Sequence, residues 1–233
     1  MTDPAAFYNA RYALLDGDET KAMDHAFYRF LLPFAKTRID VACQMIGTNT
    51  YPEVADVGCG PCQIAVRKLN QFGHYTGFDI SSYRLDGIPA SLKTNPKLSV
   101  VQHNLNDPIP SKDHSFNLVI CLSTIEYLFD PFAFLKELHR ILVPQGVLII
   151  HTMNVAYLPR RLESLLGKLP TFNKFPAWEG GILHRFTYPT MKTLLQGQGF
   201  KILESQCAGI LPATRMWWPN LLAGDMIFRA IKN

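Results

Sequence analysis

Short apolar segments of strand length, separated mostly by helical or turn sequence, follow one another along the 233-residue chain from Pro52 onward. This alternation is typical of βαβ units, in which helices join parallel strands and cover the sheet. Disorder and fibrous repeats do not fit a chain with 48% hydrophobic and 18% charged residues. We therefore predict one α/β domain around a doubly wound, mostly parallel sheet. The predicted strands are residues 53–57, 75–79, 98–102, 116–121, 146–151, 201–208 and 225–231.

The first 46 residues are predicted to form an N-terminal arm and helix that act as a lid or cap. Asp3-Pro4 and Asp16-Gly17-Asp18 are turn signals, so residues 1 to about 20 are expected to be a mobile arm. Apolar spacing predicts a helix over residues 20–46 that stops at Gly47. Residues 47–233 are expected to be the main domain, with residues 152–190 as a substrate or lid insertion.

One later helix is marked by its own capping residues. Asp130 is a good N-cap, Pro131 suits the first turn, and apolar residues recur on one face from Phe134 to Leu142. Two looser helices are predicted at residues 155–167 and 189–198.

Charge and composition exclude several classes of partner. The net charge is only +4, and basic residues occur as pairs such as Arg67-Lys68, without the stripe that a nucleic-acid groove needs. The apolar runs are much shorter than the roughly 18 residues of a membrane span, and no signal-peptide stretch is present. Five cysteines, an odd number, argue against a secreted disulfide scaffold. We predict a cytoplasmic protein with no nucleic-acid and no membrane partner.

The motif that carries chemistry is Val-Ala-Asp-Val-Gly-Cys-Gly-Pro-Cys at residues 54–62. A strand runs into a tight turn at Gly58 and Gly60, where the backbone can approach a ligand without side-chain obstruction. Asp79 ends the next strand, roughly 20 positions after Asp56, where a carboxylate can accept hydrogen bonds from ribose hydroxyls. Together these features predict a nucleoside cofactor.

Asp56 separates two kinds of nucleoside cofactor. A nicotinamide dinucleotide would place its anionic pyrophosphate at this loop, where Asp56 would repel it. Gln63 also stands where the third glycine of the dinucleotide pattern belongs. A carboxylate suits the ammonium and sulfonium groups of S-adenosylmethionine instead. We therefore predict S-adenosylmethionine, with S-adenosylhomocysteine as product, and rank an NAD-dependent oxidoreductase last.

Residues 56–62 resemble the D-x-G-x-G-x-G loop of class I S-adenosylmethionine-dependent methyltransferases, with Cys62 in place of the last glycine. The resemblance covers about residues 50–155 and continues through Phe78-Asp79 and residues 103–106, 115–120, 122–127 and 138–146. It implies a Rossmann-like, seven-stranded sheet with helices on both faces and an antiparallel last strand. It also implies methyl transfer to a small organic acceptor through an oxygen or nitrogen nucleophile.

The resemblance assigns roles to individual positions. The glycines would lie beneath the methionine and ribose, Asp79 would bind the ribose, and Asn104 would accept from the adenine amino group. Ser123 and Thr124 would border the methyl, and Tyr8 and Tyr12 could close over the cofactor. The predicted cofactor-binding residues are Tyr12, Asp56, Gly58, Cys59, Gly60, Asp79, Ile80, Asn104, Leu105, Cys121, Leu122 and Ser123.

Methyl transfer depends chiefly on positioning, so an acid–base motif need not stand out. His184 and Tyr127 are the predicted catalytic residues; His184 follows a loop with Trp178 that can fold over the cleft, and Tyr127 stands where many relatives have His. His151 is a second candidate base, although a lone His near a strand end is more often structural. No metal site is predicted, because the chain has a single C-x-x-C.

Two other interpretations stay open. Cys59-Gly60-Pro61-Cys62 spells the dithiol motif of thioredoxins, but its context disfavours redox catalysis; a disulfide there could still distort the cofactor loop. Residues 154–167, 219–223 and 227–228 are similar to MetW-like proteins, in which the methyltransferase fold is associated with supporting a homoserine acyltransferase. That alternative implies an interaction protein with an acyltransferase partner. Homo-oligomerisation is also left open.

Overall fold

The computed structural model describes residues 3–15, 35–167 and 181–233. The strands are β1 (Ala35–Lys36), β2 (Tyr51–Val57), β3 (Phe72–Asp79), β4 (Leu98–Gln102), β5 (Phe116–Leu122), β6 (Leu142–Met153), β7 (Phe200–Ile210) and β8 (Asp225–Lys232). The α-helices are α1 (Pro4–Leu15), α2 (Arg38–Ile46), α3 (Gln63–Lys68), α4 (Ser82–Asp86), α5 (Ala90–Lys93), α6 (Pro131–Ile141), α7 (Leu158–Leu165), α8 (Tyr188–Gly197), α9 (Pro212–Arg215) and α10 (Pro219–Leu222). Short 3₁₀ helices occupy Leu69–Gln71 and Ile125–Tyr127.

The strands of the described residues form one sheet in the order β1-β7-β8-β6-β5-β2-β3-β4. Strands β2 to β6 pair in parallel, and β8 lies antiparallel between β6 and β7. The predicted α/β, Rossmann-like, mostly parallel sheet with an antiparallel last strand is confirmed, with β1 as an eighth strand beyond the predicted seven. The order reverses between β2 and β5, and ligands of such sheets bind at the strand ends beside that switch point.

Helices cover both faces of the sheet, and each face has its own apolar core. Strand β5 shows the alternation: Val119 and Cys121 pack with α6 and α8, whereas Leu118 and Ile120 pack with α2 and α3 on the other side. Because successive side chains of a strand point to opposite faces, a strand buried on both faces is apolar throughout. This is why β5 reads as a continuous apolar run.

Helix α6 forms where its capping residues predicted it. The Asp130 side chain accepts hydrogen bonds from the backbone N–H groups of Phe132 and Ala133, at 2.9 and 3.0 Å. These bonds satisfy two donors that have no partner inside the helix. The buried stripe comprises Phe134, Leu135, Leu138 and Ile141.

The prediction of one continuous helix through residues 35–46 is wrong, because β1 interrupts it. Ala35 and Lys36 pair antiparallel with Ile210 and Gly209 at the sheet edge. Helix α2 starts only after Thr37, whose hydroxyl and backbone exchange hydrogen bonds with Asp40 in a capping box. The predicted stop at Gly47 is observed. Residues 20–34 of that predicted helix lie outside the described residues.

The N-terminal segment contains a helix where a mobile arm was expected, so that prediction is wrong for residues 4–15. Asp3 caps α1 by accepting the N–H of Ala5 at 3.0 Å, and Pro4 occupies the first turn. Asn9 anchors α1 to the start of α4: its Oδ1 accepts from Ser81 Oγ at 2.8 Å, and its Nδ2 donates to Ser82 Oγ at 3.0 Å. The predicted role of residues 1–46 as a lid stays a prediction.

The segment predicted as an insertion begins later than expected. Strand β6 continues to Met153, which pairs with Asp225, so Thr152 and Met153 belong to the sheet. The helix predicted at residues 155–167 is α7, and the one predicted at 189–198 is α8, each with shifted ends. Residues 168–180, including Trp178, lie outside the described residues.

Candidate active site

The turn after β2 requires glycine at its first position. Gly58 has φ +79°, and a Cβ atom there would overlap the side chain of Thr124. The N–H groups of Gly58 and Cys59 donate to the Phe78 carbonyl of β3 at 2.7 and 3.1 Å. The turn is therefore fixed to the neighbouring strand, with its backbone at the carboxyl edge of the sheet.

The Asp79 carboxylate joins this turn to the end of β3. Its Oδ2 accepts the Gly60 N–H at 2.8 Å, and its Oδ1 accepts the Ser81 N–H at 2.9 Å. Burial raises the pKa of Asp79, and the two backbone bonds and the Arg84 charge offset only part of that rise. Each carboxylate oxygen has a second lone pair, so Asp79 can still accept hydrogen bonds from a diol.

Asp56 lies beneath the turn, where it is only 3% exposed. The Tyr75 hydroxyl donates to its Oδ2 at 2.6 Å. Burial raises the pKa of Asp56 to about 7, against the lowering effect of the Tyr75 hydrogen bond and with a further rise from the Asp79 charge. Asp56 therefore changes protonation near neutral pH. It lies behind the turn and does not line the cleft.

The two cysteines of the loop are buried free thiols. Cys62 takes a left-handed backbone conformation, with φ +54°. The hydrogen bond with Cys62, followed by burial, raises the pKa of Cys59 well above its ordinary value. Reactive thiols have a lowered pKa and partial exposure. Cys59 has a raised pKa, and both thiols are buried, so the pair lacks the features of a redox centre.

A cleft with about 540 Å³ of free space, part of it open to solvent, lies between α1 and the carboxyl ends of β2 to β5. Burial, followed by the Asp79 charge, raises the pKa of Tyr12 to about 12, so its hydroxyl remains a donor. The cleft is lined by Tyr8, Tyr12, Gly58, Asp79, Ile80, Asn104, Leu105, Asn106, Ser123, Thr124, Tyr127 and Leu128.

Most of the predicted cofactor-binding residues meet in this lining. They are Tyr12, Gly58, Asp79, Ile80, Asn104, Leu105 and Ser123, with the predicted catalytic Tyr127 beside them. The other five do not line it: Asp56 lies beneath the turn, Cys59 and Gly60 sit in the turn behind Asp79, and Cys121 and Leu122 are buried at the end of β5.

The two candidate bases lie in different places. His184 Nε2 is 3.2 Å from the Phe129 carbonyl, and its side chain lines a separate surface pocket beside Phe132. His151 is buried directly behind Ser123, with its Nδ1 2.8 Å from the serine Oγ. The structure thus brings His151, and not His184, into contact with the cleft lining.

Asn106 and Leu128 were missed at the sequence level. Asn106 donates from its backbone N–H and its Nδ2 to Asn104 Oδ1, at 3.1 and 3.0 Å. Both lone pairs of that oxygen are therefore used within the loop. The Asn106 side chain also accepts the Phe129 N–H at 2.8 Å, which ties the loop after β4 to the one after β5. The sequence signal for Asn106 is its position two residues after Asn104, a predicted cofactor-binding residue.

Two searches of the described residues concern other kinds of site. Across residues 3–15, 35–167 and 181–233, no three His, Cys, Asp or Glu side chains converge as a metal site would require. No helix within those ranges has the length and apolarity to span a bilayer.

Residues 55–150 match a protein family described as methyltransferase domain. Ubiquinone biosynthesis O-methyltransferase of Vibrio cholerae is 26% identical over 102 residues, covering 43% of this chain and 42% of that protein. The enzyme of that name from Xanthomonas oryzae is 26% identical over 144 residues, covering 60% and 55%. The chain thus spans about half the length of these relatives.

Among solved structures, the fold is similar to magnesium protoporphyrin IX methyltransferase from Synechocystis, which contains bound S-adenosylhomocysteine. The TM-score is 0.68 at 14% identity, with 98% of each chain covered. This likeness shows a shared fold.

Proposed function

We propose that this protein, whose residues 55–150 match a family described as methyltransferase domain, is a class I, S-adenosylmethionine-dependent methyltransferase that transfers a methyl group to an oxygen or nitrogen atom of a small organic acceptor. The observation that carries the proposal is the Asp79 carboxylate, held beside the Gly58 turn in a cleft beneath Tyr8 and Tyr12. A diol-binding carboxylate next to an unobstructed backbone turn suits a nucleoside.

The cleft residues fit the parts of this cofactor. Asp79 would hold the ribose hydroxyls, and Gly58 leaves room for the backbone to approach the ligand. Asn104 would bind the adenine amino group once the Nδ2 of Asn106 moves away from its Oδ1. When bound, S-adenosylmethionine supplies a methyl group made electrophilic by the sulfonium.

The aromatic residues would exclude water and position the acceptor. The ring of Tyr8 meets Tyr127 edge to face, with centroids 6.3 Å apart, and the Arg84 guanidinium lies 4.6 Å from the Tyr12 ring centroid. Holding acceptor and methyl donor in line can supply roughly 7–11 kcal/mol of barrier reduction. Tyr127 and His184 stay predictions as catalytic residues, and His184 would need to act from outside the described cleft lining.

The acceptor class rests on the pocket and the relatives together. Aromatic lining and the absence of a basic stripe in the sequence favour a small organic molecule over a nucleic acid. The ubiquinone biosynthesis O-methyltransferases point toward an oxygen acceptor. The MetW-like interpretation and an acyltransferase partner remain predictions, and none of the relatives named above is of that kind.

The test is methyl transfer from tritium-labelled S-adenosylmethionine to a panel of phenols, catechols and amines. We expect labelled product with at least one hydroxyl acceptor and inhibition by S-adenosylhomocysteine. A protein that binds S-adenosylhomocysteine yet methylates none of the panel, and instead co-purifies with an acyltransferase, would support the interaction protein.

A further inference from the structure

Ser123, His151 and Asp225 form a line of contacts that leads from the cleft into the sheet. Ser123 Oγ lies 2.8 Å from His151 Nδ1, and His151 Nε2 lies 3.3 Å from Asp225 Oδ1. Ser123 lines the cleft, whereas the His151 side chain is 1% exposed. The Ser123 hydroxyl at the cleft thus contacts the His151 imidazole, and the imidazole contacts the Asp225 carboxylate.

The sheet register brings the three residues together. Leu122 of β5 pairs with His151 of β6, and Met153 of β6 pairs with Asp225 of β8. His151 and Asp225 are therefore diagonal neighbours on one face of an antiparallel pair. Ser123 follows β5 directly, and its backbone N–H lies 3.3 Å from the His151 carbonyl.

Ser123 has an unusual backbone conformation, with φ +55°. The left-handed region is unfavourable for a non-glycine residue, and such outliers concentrate at functional sites. A glycine would fit this turn more easily but would carry no hydroxyl. The strained backbone holds the Ser123 Oγ between the cleft and His151.

The charges around His151 come from several elements. Burial raises the pKa of Asp225, but the hydrogen bond and charge of His151, with the Arg160 and Arg38 cations, outweigh it and leave that pKa below its ordinary value. Asp225 is therefore ionised at neutral pH and places a negative charge beside the His151 ring. On the turn after β5, Glu126 Oε1 accepts the Met153 N–H at 3.1 Å, which places a second carboxylate near β6.

We propose that Ser123, His151 and Asp225 carry the proton away from an acceptor hydroxyl during methyl transfer. The acceptor oxygen bonds to the methyl carbon as the methyl–sulfur bond breaks, with its electron pair left on sulfur. The acceptor proton passes to Ser123 Oγ, and the serine proton passes to His151 Nδ1. Ser123 touches the acceptor; His151 and Asp225 act through it as positioning residues. This inference rests on the proposed function and specifies its acceptor as a hydroxyl.

The kinetic test uses tritium-labelled S-adenosylmethionine with phenol and with 4-nitrophenol, which is more acidic and largely ionised at mildly alkaline pH. In Ser123→Ala we expect kcat for phenol to fall about 10²- to 10⁴-fold, the usual contribution of a general base. The acceptor KM should change little. The loss should be much smaller for 4-nitrophenol and should shrink as pH rises, because an ionised acceptor needs no base.

Thr152→Val is the matched control. Thr152 is next to His151 on β6, is fully buried, and its hydroxyl has no hydrogen-bond partner among the described residues. This variant should keep wild-type kcat. Asp225→Asn should show the phenol defect in weaker form. Equal losses for phenol and 4-nitrophenol in Ser123→Ala would indicate a merely structural role and overturn the relay.

A second readout needs no acceptor. Nitrogen NMR of the His151 ring, with S-adenosylhomocysteine present, should show the proton on Nε2 and a hydrogen-bond-accepting Nδ1 that changes in Ser123→Ala. A proton on Nδ1 would contradict the relay, because that nitrogen could not accept from serine. Binding of S-adenosylhomocysteine by the wild-type protein without methylation of any member of the acceptor panel contradicts the proposed function and the relay together. Methylation of amines alone, or transfer to phenol with unchanged kcat in Ser123→Ala, contradicts the relay alone.

Discussion

The Tyr75 hydroxyl donates a 2.6 Å hydrogen bond to the Asp56 carboxylate directly beneath the cofactor turn. Both side chains are buried, at 0% and 3% exposure, so the pair forms a polar contact inside the apolar sheet. A buried polar group without a hydrogen-bond partner lowers the stability of the folded state. Tyr75 and Asp56 satisfy each other through this hydrogen bond. Asp56 thus belongs to the support of the turn, one layer below the ligand.

Asp56→Asn should change how stability depends on pH. The pKa of Asp56 is about 7 in the folded protein, against 3.8 as its ordinary value. The folded state therefore binds this proton more tightly, and its contribution to stability is lost as pH rises from about 4 to above 7. Asparagine cannot ionise. The free energy of unfolding of Asp56→Asn relative to wild type should increase, by up to about 4 kcal/mol, over that window.

Urea denaturation of both proteins at pH 5 and at pH 8 measures this difference. If the free energies of unfolding of Asp56→Asn and wild type differ by the same amount at pH 5 and at pH 8, Asp56 ionises at its ordinary pKa. Tyr75→Phe serves as the companion variant: removing the hydrogen bond that lowers the Asp56 pKa should move the window upward.

Gly58→Ala should be strongly destabilising. The left-handed backbone costs roughly 1–2 kcal/mol for alanine, and overlap of its Cβ with Thr124 adds roughly 1–3 kcal/mol. Cofactor binding should fall as the turn shifts. Gly197→Ala is the matched control: its Cβ would meet nothing within 4 Å, and it should be neutral or stabilising by up to about 1 kcal/mol. Thermal unfolding of both variants measures the difference in stability. Similar Tm values for Gly58→Ala and Gly197→Ala would contradict a tightly packed turn.

Asp79→Ala should weaken S-adenosylhomocysteine binding by about 1.5–3 kcal/mol, the range for hydrogen bonds to a charged group. It removes the ribose acceptor and also releases the N–H groups of Gly60 and Ser81. Asp86→Ala, an exposed carboxylate on α4, controls for the loss of one negative charge. Calorimetry that finds wild-type affinity in Asp79→Ala would refute the ribose role.

Asn9→Ala should loosen α1 and speed release of the cofactor. The Asn9 side chain makes hydrogen bonds to Ser81, Ser82 and the Tyr83 N–H, each contributing roughly 0.5–1.5 kcal/mol. Without them α1 should detach more often, carrying Tyr8 and Tyr12 away from the cleft. Stopped-flow displacement of S-adenosylhomocysteine should show a several-fold faster dissociation rate than in Ala10→Ser, an exposed change on the same helix. Equal rates would mean that α1 does not gate the cleft.

The sequence predicted what local patterns determine. The seven main strands were predictable because each contains apolar residues over a strand-length segment, and α6 because Asp130 and Pro131 mark its start. Asp3-Pro4 was interpreted as a turn, yet the same two residues cap and begin α1. An Asp-Pro pair suits both a turn and a helix N-terminus. The tertiary contacts of Asn9, which hold α1 in place, distinguish the two.

The parts that were missed depend on register between distant strands. The two-residue strand β1 is too short to show an alternating pattern of apolar residues. It is defined by its pairing with Gly209 and Ile210. The contact between His151 and Asp225 joins residues 74 positions apart, so no local spacing indicates it. The hydrogen bond between Asp56 and Tyr75 likewise joins adjacent strands, whereas the motif alone placed Asp56 among the cofactor-binding residues.

Titration calorimetry of the purified protein with S-adenosylhomocysteine, and separately with NAD, measures which nucleoside the cleft accepts. We expect saturable binding of S-adenosylhomocysteine with a Kd of roughly micromolar order, about −8 kcal/mol, and no heat from NAD. Saturable binding of NAD with none of S-adenosylhomocysteine at about millimolar concentration, roughly −4 kcal/mol, would contradict the assignment of this cleft.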